Sequence, residues 1–272
     1  MKLMIATDME GVGGVYTSIQ TGKKIKRTDE NYDYWMEARR LLTGEVNAAV
    51  QGAREGGCDE IVVWDCHSSG ANFVVEDLHP DAEYVINGGQ ADWIPLDDSF
   101  DAMALVGFHA MAGTPNGILE HTQSYDVVRY AVNDVEMGEI GQAALLGGHF
   151  DMPVIFISSD DAGCAEAKAL LGQHIVAVSV KTGYWREGGK LKAPAKCREL
   201  IRAGLKEAIA LVGRAETKPF KLDPPYRVVE EVVAPRSHRQ TRRELDEKRT
   251  DFITRHEHTR EQVPFLGIRD PG

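Results

Sequence analysis

Apolar residues along this chain fall into short runs separated by stretches with helical spacing, and several of the runs end on a carboxylate or an imidazole. The first run, Leu3 Met4 Ile5 Ala6 Thr7, reads as a buried strand that delivers Asp8 and Glu10 into the glycine-rich turn Gly11 Val12 Gly13 Gly14. Thr17 to Asn31 is polar and reads as a loop. From Tyr32 to Glu55 the apolar positions Trp35, Ala38, Leu41, Leu42, Val46, Ala49 and Ala53 follow a helix, which Gly56 and Gly57 end. A second buried strand, Ile61 to Trp64, leads into Asp65 Cys66 His67. Tyr84 to Ile86 reads as a short strand, and Ala102 to Val106 as another that ends at Gly107 Phe108 His109.

The alternation continues. Val127 to Val132 and the segment around Val135 flank the turn-forming pair Asn133 Asp134, which predicts a β-hairpin. Met137 to His149 reads as a helix with Glu139 in its first turn, Pro153 to Ile157 as a strand, Ala162 to Leu171 as a helix and Ile175 to Val180 as a strand. A long amphipathic helix over Pro194 to Val212 opens on a proline. Strands alternating with helices predict an α/β fold around a mainly parallel sheet, with the hairpin as an insertion. Residues 1–215 then form the α/β domain, and residues 216–235 a linker with one further strand, Tyr226 to Val233. Residues 236–272 hold only seven large apolar side chains and cannot build a core; they read as a disordered tail, a partner-docking arm or an atypical terminus, with a charged helix around Arg242 Arg243.

Composition narrows the function classes. The formal charge of −11 opposes binding to nucleic acid or to an anionic membrane. The four cysteines, Cys58, Cys66, Cys164 and Cys197, form no CxxC pair, so neither a thiolate zinc knuckle nor a disulfide framework is indicated, and reduced thiols in the cytoplasm are expected. No apolar stretch is long enough for a membrane span.

In a parallel α/β sheet the strand ends cluster on one edge, where ligands bind. Asp8 with Glu10, His67 and His109 therefore converge without a special arrangement, and Glu139 and His121 join them as candidates. Singly, each has an ordinary structural reading: a turn or cap for the acids, a hydrogen-bonded core residue for the histidines. Jointly, imidazoles and carboxylates suit zinc or another divalent first-row metal. Asp8, Glu10 and Glu139 carry three negative charges, so one divalent ion would leave an uncompensated charge in a poorly solvated cleft and two ions are favoured, with Asp8 or Glu10 bridging. Two other readings compete. Asp8 could be the nucleophile of a magnesium-dependent phosphatase, with Asp160 Asp161 as a further acidic pair, or the cluster could stabilise a non-catalytic assembly protein. His79, His149, His174, His238, His256 and His258 read as solvated or capping.

The segments Thr7 to Gly11, Asp65 to Ser68, Gly107 to Ala110, Thr114 to His121 and Gly138 to Gly141, in that order and spacing, resemble the DppA-type D-aminopeptidase family of zinc peptidases over roughly residues 1–215. The resemblance implies two zinc ions per subunit with Asp8, Glu10, His67, His109 and Glu139 as ligands and His121 as the catalytic histidine. It also implies release of N-terminal D-amino acids, D-alanine especially, from short peptides, and a homo-oligomer, a ring of ten. The residues alone reach a binuclear metal hydrolase; the stereochemistry and the decamer come from the likeness.

Overall fold

A computed structural model describes residues 1–22, 30–68, 70–86, 94–233 and 253–264. Seven strands form the main sheet: β1 (Lys2–Thr7), β2 (Glu60–Asp65), β3 (Glu83–Val85), β4 (Ala102–Val106), β7 (Val154–Asp160), β8 (Val176–Trp185) and β9 (Gly188–Leu191). Their order is β3-β2-β1-β4-β7-β8-β9, and every pairing is parallel except that of β9 with β8. Side chains that alternate along β1 feed two separate cores. Leu3 and Ile5 pack with α1 (Tyr32–Glu55) and α4 (Pro194–Ile209) on one face; Met4 and Ala6 pack with α2 (Glu139–His149) and α3 (Asp161–Leu171) on the other. A sheet covered on both faces explains why its strands are runs of apolar residues rather than alternating ones.

The strand order fixes where a site can form. From β1 the sheet grows one way through β2 and β3, and the other way through β4, β7 and β8. The chain therefore reverses direction across the sheet between β1 and β4, which opens a crevice beyond their carboxyl ends.

A second, antiparallel sheet has the order β11-β10-β5-β6, from β5 (Val127–Val132), β6 (Val135–Glu136), β10 (Tyr226–Val233) and β11 (Ile253–Arg260). Its inner residues Val127, Tyr130, Val132, Tyr226 and Val228 join the α2 side of the core. Asn133 and Asp134 both have positive φ, 48° and 66°, which is the expected hairpin turn.

Helix α1 and strands β4, β5 and β10 have the bounds read from the sequence, and most other elements differ from expectation by up to three residues at their ends. Three differences are larger. Strand β8 runs on to Trp185, because antiparallel pairing with the unexpected β9 extends it past its apolar part. The strand expected at Tyr226 to Val233 joins the second sheet, beside β5. The segment expected as a tail is in part paired sheet, since β11 runs antiparallel to β10 and Val263 is buried in the core. Arg242 and Arg243, with the charged helix expected there, lie outside the described residues, as does His238. Among the described residues no helix is long and apolar enough to cross a membrane.

Candidate metal centre

Strand β1 continues its parallel pairing one residue past its end, where the Asp8 amide donates to the Val106 carbonyl at 2.9 Å and the Gly11 amide to Gly107 at 2.7 Å. So close an approach needs glycine on both sides. A Cβ on Gly11 would lie 1.7 Å from the Phe108 carbonyl oxygen, and one on Gly107, whose φ is +76°, would lie 2.3 Å from that of Asp8. These two contacts bring the loop bearing Asp8 and Glu10 against the loop bearing His109.

His67 follows β2 in a loop fixed by a buried hydrogen-bond set. The Asp65 carboxylate accepts from both the backbone and side-chain amides of Asn72, at 2.8 Å each, and the Asn72 side chain also donates to the His67 carbonyl at 2.8 Å. His67 Nδ1 then lies 2.9 Å from Asp8 Oδ1 and 3.1 Å from Glu10 Oε2. His109 Nε2 lies 3.2 Å from Asp8 Oδ2 and 3.6 Å from Glu139 Oε1. Glu139 sits in the first turn of α2, where the helix dipole favours a carboxylate, and its Oε1 accepts from the Gln123 amide at 2.6 Å.

His121 stacks on His109, with ring centres 4.1 Å apart and planes within 8°, and its Nε2 is 3.7 Å from Glu139 Oε1. Tyr125 lies against its ring at 4.7 Å. The backbone around His121 is strained: Leu119 and Gln123, neither a glycine, have φ of 57° and 60°. Such conformations cost roughly 1–3 kcal/mol each and collect at functional sites.

Each histidine has one ring nitrogen beside a backbone carbonyl: His67 Nε2 at 3.2 Å from Thr21, His109 Nδ1 at 2.9 Å from Ala110 and His121 Nδ1 at 2.9 Å from Leu119. A carbonyl can only accept, so in a neutral ring that nitrogen carries the proton and the other turns a lone pair on the carboxylates. Lone pair facing lone pair is tolerable only with a proton or a metal cation between them. Asp8 Oδ2, Glu10 Oε2 and His109 Nε2 are buried with no hydrogen-bond partner. Ligand atoms of Asp8, Glu10 and His109, and of His109, His121 and Glu139, form two groups whose members lie within 4.8 Å of one another. The donor set fits divalent cations.

The electrostatics carry the same sign. Burial disfavours charge on His67, but Glu10 and Asp8 outweigh it and hold the imidazole well above its ordinary pKa; Glu139 and Asp8 do the same to His109 against burial. Burial would raise Asp8, yet His109 and His67 keep it well below the usual carboxylate range. Glu139 is likewise lowered by His109 and His121 in spite of burial. His121 differs: burial, and then neighbouring His109, lowers its pKa and keeps it neutral.

All six residues expected from the sequence, Asp8, Glu10, His67, His109, His121 and Glu139, thus meet at one sheet edge. Asp160 does not join them. It caps α3, where its two oxygens accept from the Gly163 and Ile118 amides at 2.8 and 2.7 Å. His149, His256 and His258 are exposed. Asp65 with Asn72, Tyr125, and the fully buried Lys181 and Glu45 surround the centre and were not singled out from the sequence. The cue for Lys181 is a lone charge directly after the largely apolar run Ile175 to Val180, within β8.

Fold and site define the class, an α/β enzyme with carboxylates and imidazoles gathered at the switch point of a doubly wound sheet. The chain belongs to the D-aminopeptidase family of peptidases, whose sequence model matches residues 1–243. It is 35% identical over 234 residues to a D-aminopeptidase of Bacillus subtilis (strain 168), covering 84% of this chain and 80% of that protein. It also superposes on the structure of the Zn-dependent D-aminopeptidase DppA from Bacillus subtilis, described as a self-compartmentalizing protease. That match has a TM-score of 0.78 and 26% identity, and covers 98% of this chain and 93% of the other.

Proposed function

We propose that this peptidase removes N-terminal D-amino acids, D-alanine among them, from short peptides or amides, with two zinc ions held by Asp8, Glu10, His67, His109 and Glu139. The observation that carries the reading is that His67 Nδ1 faces Glu10 Oε2 and His109 Nε2 faces Asp8 Oδ2, two buried carboxylate oxygens with no hydrogen-bond partner. Asp8 is the residue suited to bridge, because its Oδ1 faces His67 and its Oδ2 faces His109, whereas Glu10 faces His67. Zinc accepts this mixture of imidazole and carboxylate, and the structural relative is described as zinc-dependent.

Bound there, the ions would supply Lewis-acid polarisation of the scissile carbonyl and acidification of water. The chain's own part is proton management. His121 donates a hydrogen bond from its Nδ1–H to the Leu119 carbonyl and so presents Nε2 toward the reacting groups; as a neutral imidazole it takes the proton of the attacking water and returns it to the departing amine. Its stacking on His109 fixes the plane of the ring, and Tyr125 packs against it in a tilted contact. Residues 1–215 carry every group this chemistry needs.

The kinship also favours a homo-oligomer, a decamer, as the working form, and the four free thiols fit a cytoplasmic location. Metal analysis of the purified protein tests the centre. About two zinc ions per chain are expected, with fewer in Asp8→Ala and in His109→Ala; unchanged metal in both variants would refute the ligand assignment.

A further inference from the structure

We propose that Lys181 is the positioning residue of the metal centre: its ammonium ties down the turn after β1 and so holds Glu10 and Asp8 in ligating register. This rests on the two-zinc reading above. Lys181 projects from β8 and is fully buried. Its Nζ donates to three backbone carbonyls of one turn, Glu10 at 2.5 Å, Val12 at 3.0 Å and Val15 at 2.6 Å. An ammonium has three N–H donors and all are spent on this turn. The turn has little else inside it to accept from, since its own backbone bonds run only from Val12 to Met9 and from Val15 to Val12.

The grip comes from two sides. Glu45 of α1, also fully buried, accepts from the Gly13 amide at 2.9 Å, so β8 pulls on the carbonyls of the turn and α1 on an amide between them. Asp160 and Glu10 act electrostatically on the Lys181 ammonium, and Asp160 in turn accepts from Ile118 in the loop that leads to His121. One buried cation thus connects the strand end carrying two proposed ligands with the loop carrying the proposed base. Stability alone does not call for it, because a buried charge network is often no more stabilising than apolar side chains of the same volume. What an apolar replacement cannot do is bind three converging carbonyls.

The test measures metal binding separately from fold stability. A ligand that binds only the folded state raises Tm by an amount set by its affinity, so Tm is recorded for the metal-free and zinc-saturated forms, and zinc affinity by competition with a chelator. Lys181→Met is expected to unfold cooperatively, to bind zinc at least tenfold more weakly and to lose at least half of the zinc-induced rise. Lys181→Arg keeps the charge, but its planar fork cannot meet three carbonyls that converge on one tetrahedral nitrogen; it is expected to lose affinity by a smaller factor, and it decides the matter if Lys181→Met does not fold. A lowered metal-free Tm with the full zinc-induced rise in either variant would make Lys181 a merely structural residue and overturn the proposal. A wild-type protein whose Tm does not respond to zinc would instead refute the metal reading, and this inference with it.

Discussion

Placing alanine at three glycines separates backbone strain from the close approach that builds the site. Gly57 has φ of +95° with nothing within 4 Å of an added Cβ, so Gly57→Ala pays strain alone, about 1–2 kcal/mol. Gly11→Ala pays for contact: its Cβ would stand 1.7 Å from the Phe108 carbonyl oxygen, and an ordinary contact of 3.4 Å requires the two loops to part by the difference, 1.7 Å. Gly107→Ala pays both, with φ of +76° and a required parting from Asp8 of 3.4 less 2.3, or 1.1 Å. Overpacking of this kind costs roughly 1–3 kcal/mol, and about 1 Å of misplacement at reacting groups costs on the order of a hundredfold in rate. Thermal unfolding, zinc content and hydrolysis of a D-alanyl amide are measured on all three. At about 2 °C per kcal/mol for a chain of this size, Gly57→Ala should lose a few degrees and keep its activity. Gly11→Ala and Gly107→Ala should lose activity by a hundredfold or more, since they move Asp8 against His109. Activity within twofold of wild type in Gly11→Ala would refute the claim that the approach of these loops sets the site.

Two further outcomes follow from individual side chains. Burial lifts the Glu45 carboxyl from 4.5 to about 8, so between those values the folded state holds a proton that the unfolded chain has released. Stability then falls as pH rises across that window, by up to about 1.4 kcal/mol per unit, and levels off above it. Glu45→Gln can still accept from Gly13 and should flatten this slope in urea unfolding between pH 5 and 8; an unchanged slope would contradict the assignment. His121→Ala should keep its zinc and lose turnover by about 100-fold or more, and full turnover with full metal would remove His121 from the mechanism.

The parts of the fold legible in the sequence are those whose burial is written locally. Runs such as Leu3 to Thr7 and Ala102 to Val106 are apolar because both faces of the sheet are covered, and the strand-end rule then places Asp8, His67 and His109 together. Pairing between distant segments leaves no such mark. Strand β9, Gly188 Gly189 Lys190 Leu191, exists because β8 turns back on itself, and β11 is polar along most of its length and is a strand only through its ladder with β10. For the same reason β10 and β5 meet in a second sheet although nothing in either names the other. Glu139 and His121 sit at a helix start and in a loop, and their approach to the edge depends on how α2 packs and on the left-handed turns at Leu119 and Gln123. Lys181 and Glu45 read as ordinary charged residues until burial shows them gripping one turn from opposite sides.

The central claim, that a metal centre at this sheet edge hydrolyses peptides beginning with a D-residue, is tested most directly by one matched pair of substrates. D-alanyl and L-alanyl amides are offered to the zinc-loaded and the chelator-stripped protein, with metal content measured on the same samples. Cleavage of the D-substrate that appears with zinc, disappears on stripping and returns on reloading, with the L-substrate largely spared, is the predicted result; cleavage that persists at full rate without metal, or that favours the L-substrate, would contradict it.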